Sequence, residues 1–305
     1  MERLALLAID TSSEYCSVAV CLSHPGIVVD TAAAPGDAAP APGVARVDDA
    51  RLGVRCFVAE RQTGAVSSTW VLPAVDLVLT AAGLTLHDCG ALAFSAGPGS
   101  FTGLRTATGV AQGLAFGAGL KVLPVNTLMA CAEAARHAGG CATGAAPIAR
   151  VFVAIDARMS ECYSAAFEAD ARGDWQQVGG NRVGPPEAAV APWTDTAPYA
   201  VVGNAVTVFG TRLAALAGAA RSDAHARPGA AALAAIGWRA WHAGQGRAPA
   251  AALPDYVRDK VALTTREREV ERARRDDVRA TDDGGVRADA RAGIAVHAIR
   301  PSTDA

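Results

Sequence analysis

Lysine is nearly missing from this chain. It occurs only at Lys121 and Lys260, and arginine supplies the rest of the 28 basic side chains. Set against 30 carboxylates, these leave a formal net charge of −2. The sequence therefore lacks the basic surplus with which a self-sufficient nucleic-acid binder neutralises phosphate. The seven cysteines are scattered, with no C-x-x-C pair. That excludes a thiolate zinc site of the usual spacing and favours reduced thiols, each a small core residue, over a disulfide framework. No two of the six histidines sit four apart on one predicted helix, so the paired-histidine metal motif is missing as well. The chain also has no G-x-S-x-G, no G-x-x-x-x-G-K-[ST] and no G-x-G-x-x-G. The apolar run Leu4–Ile9 ends at Asp10, too short for a signal peptide or a membrane span, so a cytoplasmic protein without a membrane partner is expected.

What is present centres on Ser95 to Gly117, S-A-G-P-G-S-F-T-G-L-R-T-A-T-G-V-A-Q-G-L-A-F-G. The apolar run Gly90–Phe94 predicts a short buried strand that Gly97-Pro98-Gly99 stops. Ser100 and Thr102 are each able to cap a following helix by accepting backbone N–H bonds. In that helix Leu104, Ala107, Ala111 and Leu114 share one side, and Gly109, Gly113 and Gly117 fall four apart on another. Helical glycine costs about 1 kcal/mol relative to alanine, so three in register ask for close approach of a second backbone. Either the chain's own sheet or a partner helix would satisfy them. The turn itself reads as structural rather than phosphate-binding, since it matches neither phosphate-loop pattern. Arg105 opposes the helix dipole in the first turn, which calls for a carboxylate beside it.

Taken in order, Leu4–Ile9 and Cys16–Leu22 predict a hairpin, and the Ala/Pro/Gly-rich residues 24–50 a mobile insertion at its tip. Leu52–Glu60 regains strand character. Ser67 or Ser68 is placed to cap a helix with Trp70, Ala74, Leu77, Val78 and Ala81 on its apolar face. Lys121–Val125 predicts a strand and Thr127–His137 a helix, closing a first lobe over 1–138. Residues 139–147 form a small-residue linker. Then Val153-Ala154-Ile155-Asp156-Ala157-Arg158 repeats Leu7-Ala8-Ile9-Asp10-Thr11-Ser12, which points to an internal duplication. Further strands and helices follow (Tyr199–Val202, a helix through Phe209 and Leu213, another over Ala230–His242), giving a second lobe over 148–265. The tail 266–305 mixes nine arginines with nine carboxylates and reads as disordered. Asp10 and Asp156, at the ends of buried strands, are the acidic candidates, although Thr11-Ser12-Ser13 holds no glycine to admit a phosphate.

Residues 7–20, the block G-P-G-S-F-T-G-L-R within 94–128, V-A-I-D-A-R-M-S-E-C-Y at 153–163 and Y-V-R-D-K-V-A-L-T-T at 256–265 together resemble the TsaB (YeaZ) family. The resemblance covers most of residues 1–265. It implies an α/β fold of the duplicated ribonuclease-H-like (actin/Hsp70/sugar-kinase, ASKHA) type in two lobes. It also implies a part in making N6-threonylcarbamoyladenosine beside the anticodon of tRNAs that read codons starting with A. On that resemblance the chain is a non-catalytic partner of a TsaD-like paralogue, joined by a TsaE-like ATPase. ATP and Mg²⁺ then act through the partners, tRNA is met only in the complex, and a homodimer in isolation is an alternative pairing. Ser100, Phe101, Thr102, Arg105, Gly109, Gly113 and Gly117 are the expected interface, and Asp10, Thr11, Ser12 and Asp156 mark a degenerate nucleotide cleft. The competing reading is an independent ATP-binding phosphotransferase or a peptidase of the same fold.

Overall fold

Ala5–Asp10 (β1) is buried along its whole length, as an interior strand must be when it has neighbours at both edges and layers on both faces. In the computed structural model the residues described are 5–23, 42–137 and 149–258. Tyr15–Ser23 (β2) returns antiparallel to β1, and Val54–Gln62 (β4) continues antiparallel on β2. Ala45–Asp49 (β3) closes that edge against β4. On the other edge Cys89–Gly97 (β5) and Lys121–Asn126 (β6) run parallel to β1. The first sheet thus has the order β3-β4-β2-β1-β5-β6.

The second sheet repeats this plan. Arg150–Asp156 (β7) pairs antiparallel with Cys162–Ala169 (β8), which pairs with Trp175–Gly184 (β9). Ala200–Val202 (β10) and Arg221–Asp223 (β11) add on parallel at the other edge. The order β11-β10-β7-β8-β9 matches the first sheet strand for strand, β3 excepted. Asp10 ends β1 as Asp156 ends β7, so the short sequence repeat marks a structural duplication.

The helices do not stay with the half that encodes them. Ser67–Ala82 (α1) and Phe101–Ala118 (α2) cover one face of the first sheet, packing on Leu7, Ile9, Val18, Leu92 and Phe94. Ala230–His242 (α5), from the second half, covers the opposite face through Ala230, Leu233 and Trp238, against Leu6, Ala8 and Ala93. In return Thr127–His137 (α3), the last element of the first half, packs Leu128, Cys131 and Ala135 on Val151, Val153 and Phe167 of the second sheet. Ala205–Phe209 (α4) and the turns after it fill that sheet's far side around Phe152 and Ala154. The exchange is tied by Glu133 of α3, whose side chain is fully buried. It accepts from Trp175 Nε1 at 2.8 Å, and Arg51, Arg136 and Arg239 lie within 3.3 Å of its carboxylate. Burial pushes this carboxyl up, but Arg239, Arg136, His137 and Arg51 outweigh it and hold the group below the usual range.

Several expectations need correction. The insertion at 24–50 is shorter than its composition suggested, because Ala45–Asp49 forms β3; positions 24–41 lie outside the described residues. Neither Ser67 nor Ser68 caps α1: the cap position is Val66, with no side-chain hydrogen bond. The buried face of α1 is Val71, Ala74, Val75, Val78 and Leu79, one step round from the predicted one. The stretch Gly64–Ala82 is long and apolar enough to cross a membrane by composition, yet this face is spent on the first sheet. Cys21 and Cys56 are register partners on β2 and β4 and are disulfide-bonded, not free as expected. The linker 139–147, residues 259–265 at the end of the second lobe and the whole tail 266–305 lie outside the described residues.

Candidate functional site

The carboxyl ends of β1 and β5 meet at one place, and the glycines there explain how. Ser100 accepts from Gly103 N at 3.4 Å and caps α2; Thr102 does not cap but lies within the helix, its carbonyl accepting from Thr106 Oγ1 at 3.1 Å. A Cβ on Gly103 would run into the Thr11 carbonyl oxygen, and one on Gly99 would sit 2.7 Å from that of Ser12. The loop after β5 is therefore pressed backbone to backbone onto the β1–β2 turn. Ser100 N donates to Ser12 O at 2.8 Å, and Thr11 Oγ1 donates to Gly103 O at 2.7 Å.

This packing uses up the turn. Thr11 N donates to Ser95 Oγ at 3.4 Å and Ser12 N to Asp10 Oδ1 at 2.9 Å. Asp10, Thr11 and Ser12 are all buried. Burial is the largest influence on Asp10 and pushes its carboxyl above the ordinary aspartate value, against the lowering hydrogen bonds from Ser12 and Ser95. A nucleotide phosphate needs free N–H groups and open backbone, whereas this turn has spent the Thr11 and Ser12 N–H groups on Ser95 and Asp10 and its space on α2. The residues present do not fit a phosphate here. Asp156 makes the corresponding turn in the second sheet, accepting from Arg158 N at 2.8 Å, with its own N–H donating to Asn204 Oδ1 at 2.9 Å. Among the described residues no group of three or more His, Cys, Asp and Glu is placed to hold a metal ion.

The outer face of α2 is the second feature. Gly109, Gly113 and Gly117 are exposed, and a Cβ on any of them would meet nothing within 4 Å. The reading that sets them against the chain's own sheet is thus overturned: that face belongs to Leu104, Ala107, Thr108, Ala111, Ala115 and Ala118. Phe116, beside the glycines, is 83% exposed. Among the described residues Arg105 meets no carboxylate but lies 3.9 Å over the Phe101 ring, and its Nε donates to the Tyr256 hydroxyl at 3.0 Å. Tyr256 in turn stacks on Phe101 with ring centroids 5.2 Å apart. Phe101 and Arg105 both belong to the expected interface, but helical spacing gives no sign of Tyr256, which reaches Arg105 from 151 residues downstream.

The profile of the family described as TsaD, tRNA N6-adenosine threonylcarbamoyltransferase, matches residues 61–266. The tRNA threonylcarbamoyladenosine biosynthesis protein TsaB of Haemophilus influenzae is 35% identical over 62% of this chain and 68% of its own length. The chain belongs to the TsaB (YeaZ) family. The TsaB protein of Escherichia coli is 36% identical over 56% of this chain, and the match spans 58% of that relative. Among solved structures, YeaZ from Pseudomonas aeruginosa superposes with a TM-score of 0.63 at 30% identity, covering 83% of this chain and 99% of that one. A second Pseudomonas aeruginosa structure, described as an uncharacterized protein with similarity to peptidase YEAZ, gives 0.64 at 30% identity, with 84% and 100% covered. These matches fit the two-sheet duplication, so the chain has the two-lobed ASKHA-type fold that its motifs implied.

Proposed function

We propose that this chain is a non-catalytic subunit in the synthesis of N6-threonylcarbamoyladenosine next to the anticodon of tRNAs reading codons that start with A. It docks a TsaD-like paralogue through the outer face of α2 and holds that paralogue in its active arrangement. A TsaE-like ATPase joins the pair, ATP and Mg²⁺ act in the partners, and tRNA is met through the complex in the cytoplasm. The observation that carries this reading is the open, exposed row Gly109, Gly113 and Gly117. Each glycine weakens the helix and nothing among the described residues needs it small, so a backbone that comes to lie against α2 from outside is the physical reason we take for the row. Relatives named for tRNA threonylcarbamoyladenosine biosynthesis support the pathway. The occupied β1–β2 turn speaks against an independent phosphotransferase. Acyl transfer to an adenine amine also needs positive charge or a metal where the oxyanion forms. Asp10 and Asp156 have the wrong sign for that.

Gly113→Leu tests the reading. The variant is expected to melt cooperatively near the wild-type temperature and to lose capture of the purified TsaD-like partner by at least tenfold. Wild-type capture by a folded variant would remove α2 as the docking face. A second copy of this chain would use the same seam, so the free protein's mass in solution is measured alongside.

A further inference from the structure

Residues 252–257 have no regular secondary structure, yet they are held at four points that belong to different parts of the molecule. Ala252 is fully buried, and its carbonyl accepts from Gln112 Nε2 at 3.2 Å, one residue before Gly113. Asp255 N donates to Ala96 O at 2.6 Å, at the end of β5, and the Asp255 carbonyl occupies the space a Cβ on Gly97 would need. Asp255 Oδ2 accepts from Asn181 Nδ2 at 3.4 Å, on the second sheet. Tyr256 ends the run on Phe101 and Arg105, at the start of α2.

The contact with the second sheet is built for reach. β9 bulges opposite Ser164 and Ala166, with Gly179 at φ 81°, which brings Asn181 round to the face of Gln177. Asn181 Oδ1 then accepts from both Gln177 Nε2 and Asn126 Nδ2 at 2.9 Å. Asn126 is the last residue of β6, so one amide chain runs from the first sheet through the second sheet to Asp255.

We propose that residues 252–257 are a strap that couples the mutual placement of the two sheets to the docking face of α2. The inference rests on the reading of α2 as the face that takes the TsaD-like partner. The strap follows α2 from Gln112 back to Phe101, and Leu253 (66% exposed) and Tyr256 (42% exposed) present apolar surface beside the open glycines. A partner helix seated on those glycines meets the strap too. By linkage, whatever fixes the strap strengthens docking, and docking fixes the strap by the same factor.

Asn181→Ala separates this coupling from plain contact, because Asn181 touches the strap and not α2. The full chain and purified TsaD-like partner are used, with affinity and amide exchange at Asp255 read in parallel. Asn181→Ala is expected to speed that exchange and weaken docking about threefold, and Tyr256→Ala to do both with a loss of about tenfold. Tyr256→Phe keeps the ring stack and should recover most of the affinity. A released strap with wild-type docking overturns the proposal. So does weak docking of Tyr256→Ala with the Asp255 amide as protected as in wild type, which makes Tyr256 a simple contact. If Gly113→Leu docks normally, the α2 reading itself has failed; if it blocks docking while Asn181→Ala has no effect, only the strap has.

Discussion

Asp10 and Asp156 stand at matching points of the two sheets, and both accept a hydrogen bond from the backbone N–H two residues on. There the likeness ends. After β5 the chain makes the 18-residue α2, whose first turn lands on Thr11 and Ser12. After β10 it makes the 5-residue α4, which leaves residues 158–160 of the matching turn exposed while the Asp156 side chain itself is only 12% exposed. Arg158, Met159 and Ser160 there take left-handed conformations with φ from 55° to 64°, and the Arg158 side chain is 78% exposed. The Asp turn is thus held by its own local hydrogen bond, whereas burial and charge are set by what packs on it. In this protein the half with the long helix loses its cleft and gains an outward face.

The strongest test of that contrast is Gly103→Ala. A methyl group there meets the Thr11 carbonyl, backbone against backbone, with no flexible side chain to yield. A loss of roughly 3 kcal/mol is expected, read from the urea midpoint. A loss under about 1 kcal/mol would mean that α2 does not need to press on the β1–β2 turn.

The Asp10 carboxylate should then make stability depend on pH. The folded-state value of Asp10 is raised, so its contribution to stability is fully present below the unfolded aspartate value of about 3.9 and is lost as pH rises through the folded value. Asp10→Asn keeps an acceptor for Ser12 N and escapes that loss. Its stability relative to wild type should climb with pH from about 4 upward. Asp156→Asn removes only an ion pair with an exposed Arg158 at 3.3 Å, for a change below about 1 kcal/mol. Denaturant titrations of Asp10→Asn and wild type at about pH 4 and about pH 7 decide the point, and a urea midpoint at one pH reads Asp156→Asn. A flat difference for Asp10→Asn would show its carboxyl to be hydrated in the folded state.

How far the sequence reveals this depends on how local each cause is. The Asp repeat, the strands beside it and the ends of α3 and α5 are legible because alternation, caps and helical period act within a few residues. The partner of α5 is not. Its apolar stripe predicts a buried face, but Leu233 and Trp238 would suit either sheet, and only the chain's path brings them to Leu6 and Ala8. β3, A-R-V-D-D, hides because a short charged edge strand carries no alternation to read. Cys21 and Cys56 are 35 residues apart, a pairing fixed by the register of β2 on β4 and by nothing in their spacing. At the site, four-residue spacing singles out Gly109, Gly113 and Gly117 without saying which way they face. Of the glycines that do admit a neighbouring backbone, Gly99 reads only as part of the strand stop and Gly103 carries no reading, since their partners Ser12 and Thr11 lie far away in the chain, 92 residues separating Thr11 from Gly103.

The smallest expected effect separates fold from function most cleanly. Gly109 lies within α2 with helical neighbours on both sides, and a methyl group added there would meet nothing within 4 Å. Alanine adds no clash and removes the entropy that glycine loses on entering a helix. Gly109→Ala should therefore stabilise the isolated protein by roughly 0.5–1 kcal/mol, visible as a rise in the melting temperature. On the proposed docking mode the same methyl group stands in the path of the partner backbone, so docking should weaken as stability rises. Two measurements on one variant then move in opposite directions, which no purely structural role for the glycine row produces. If Gly109→Ala instead destabilises the isolated protein, something in the folded chain covers this face of α2, and the contrast between an outward helix and an occupied turn has to be redrawn.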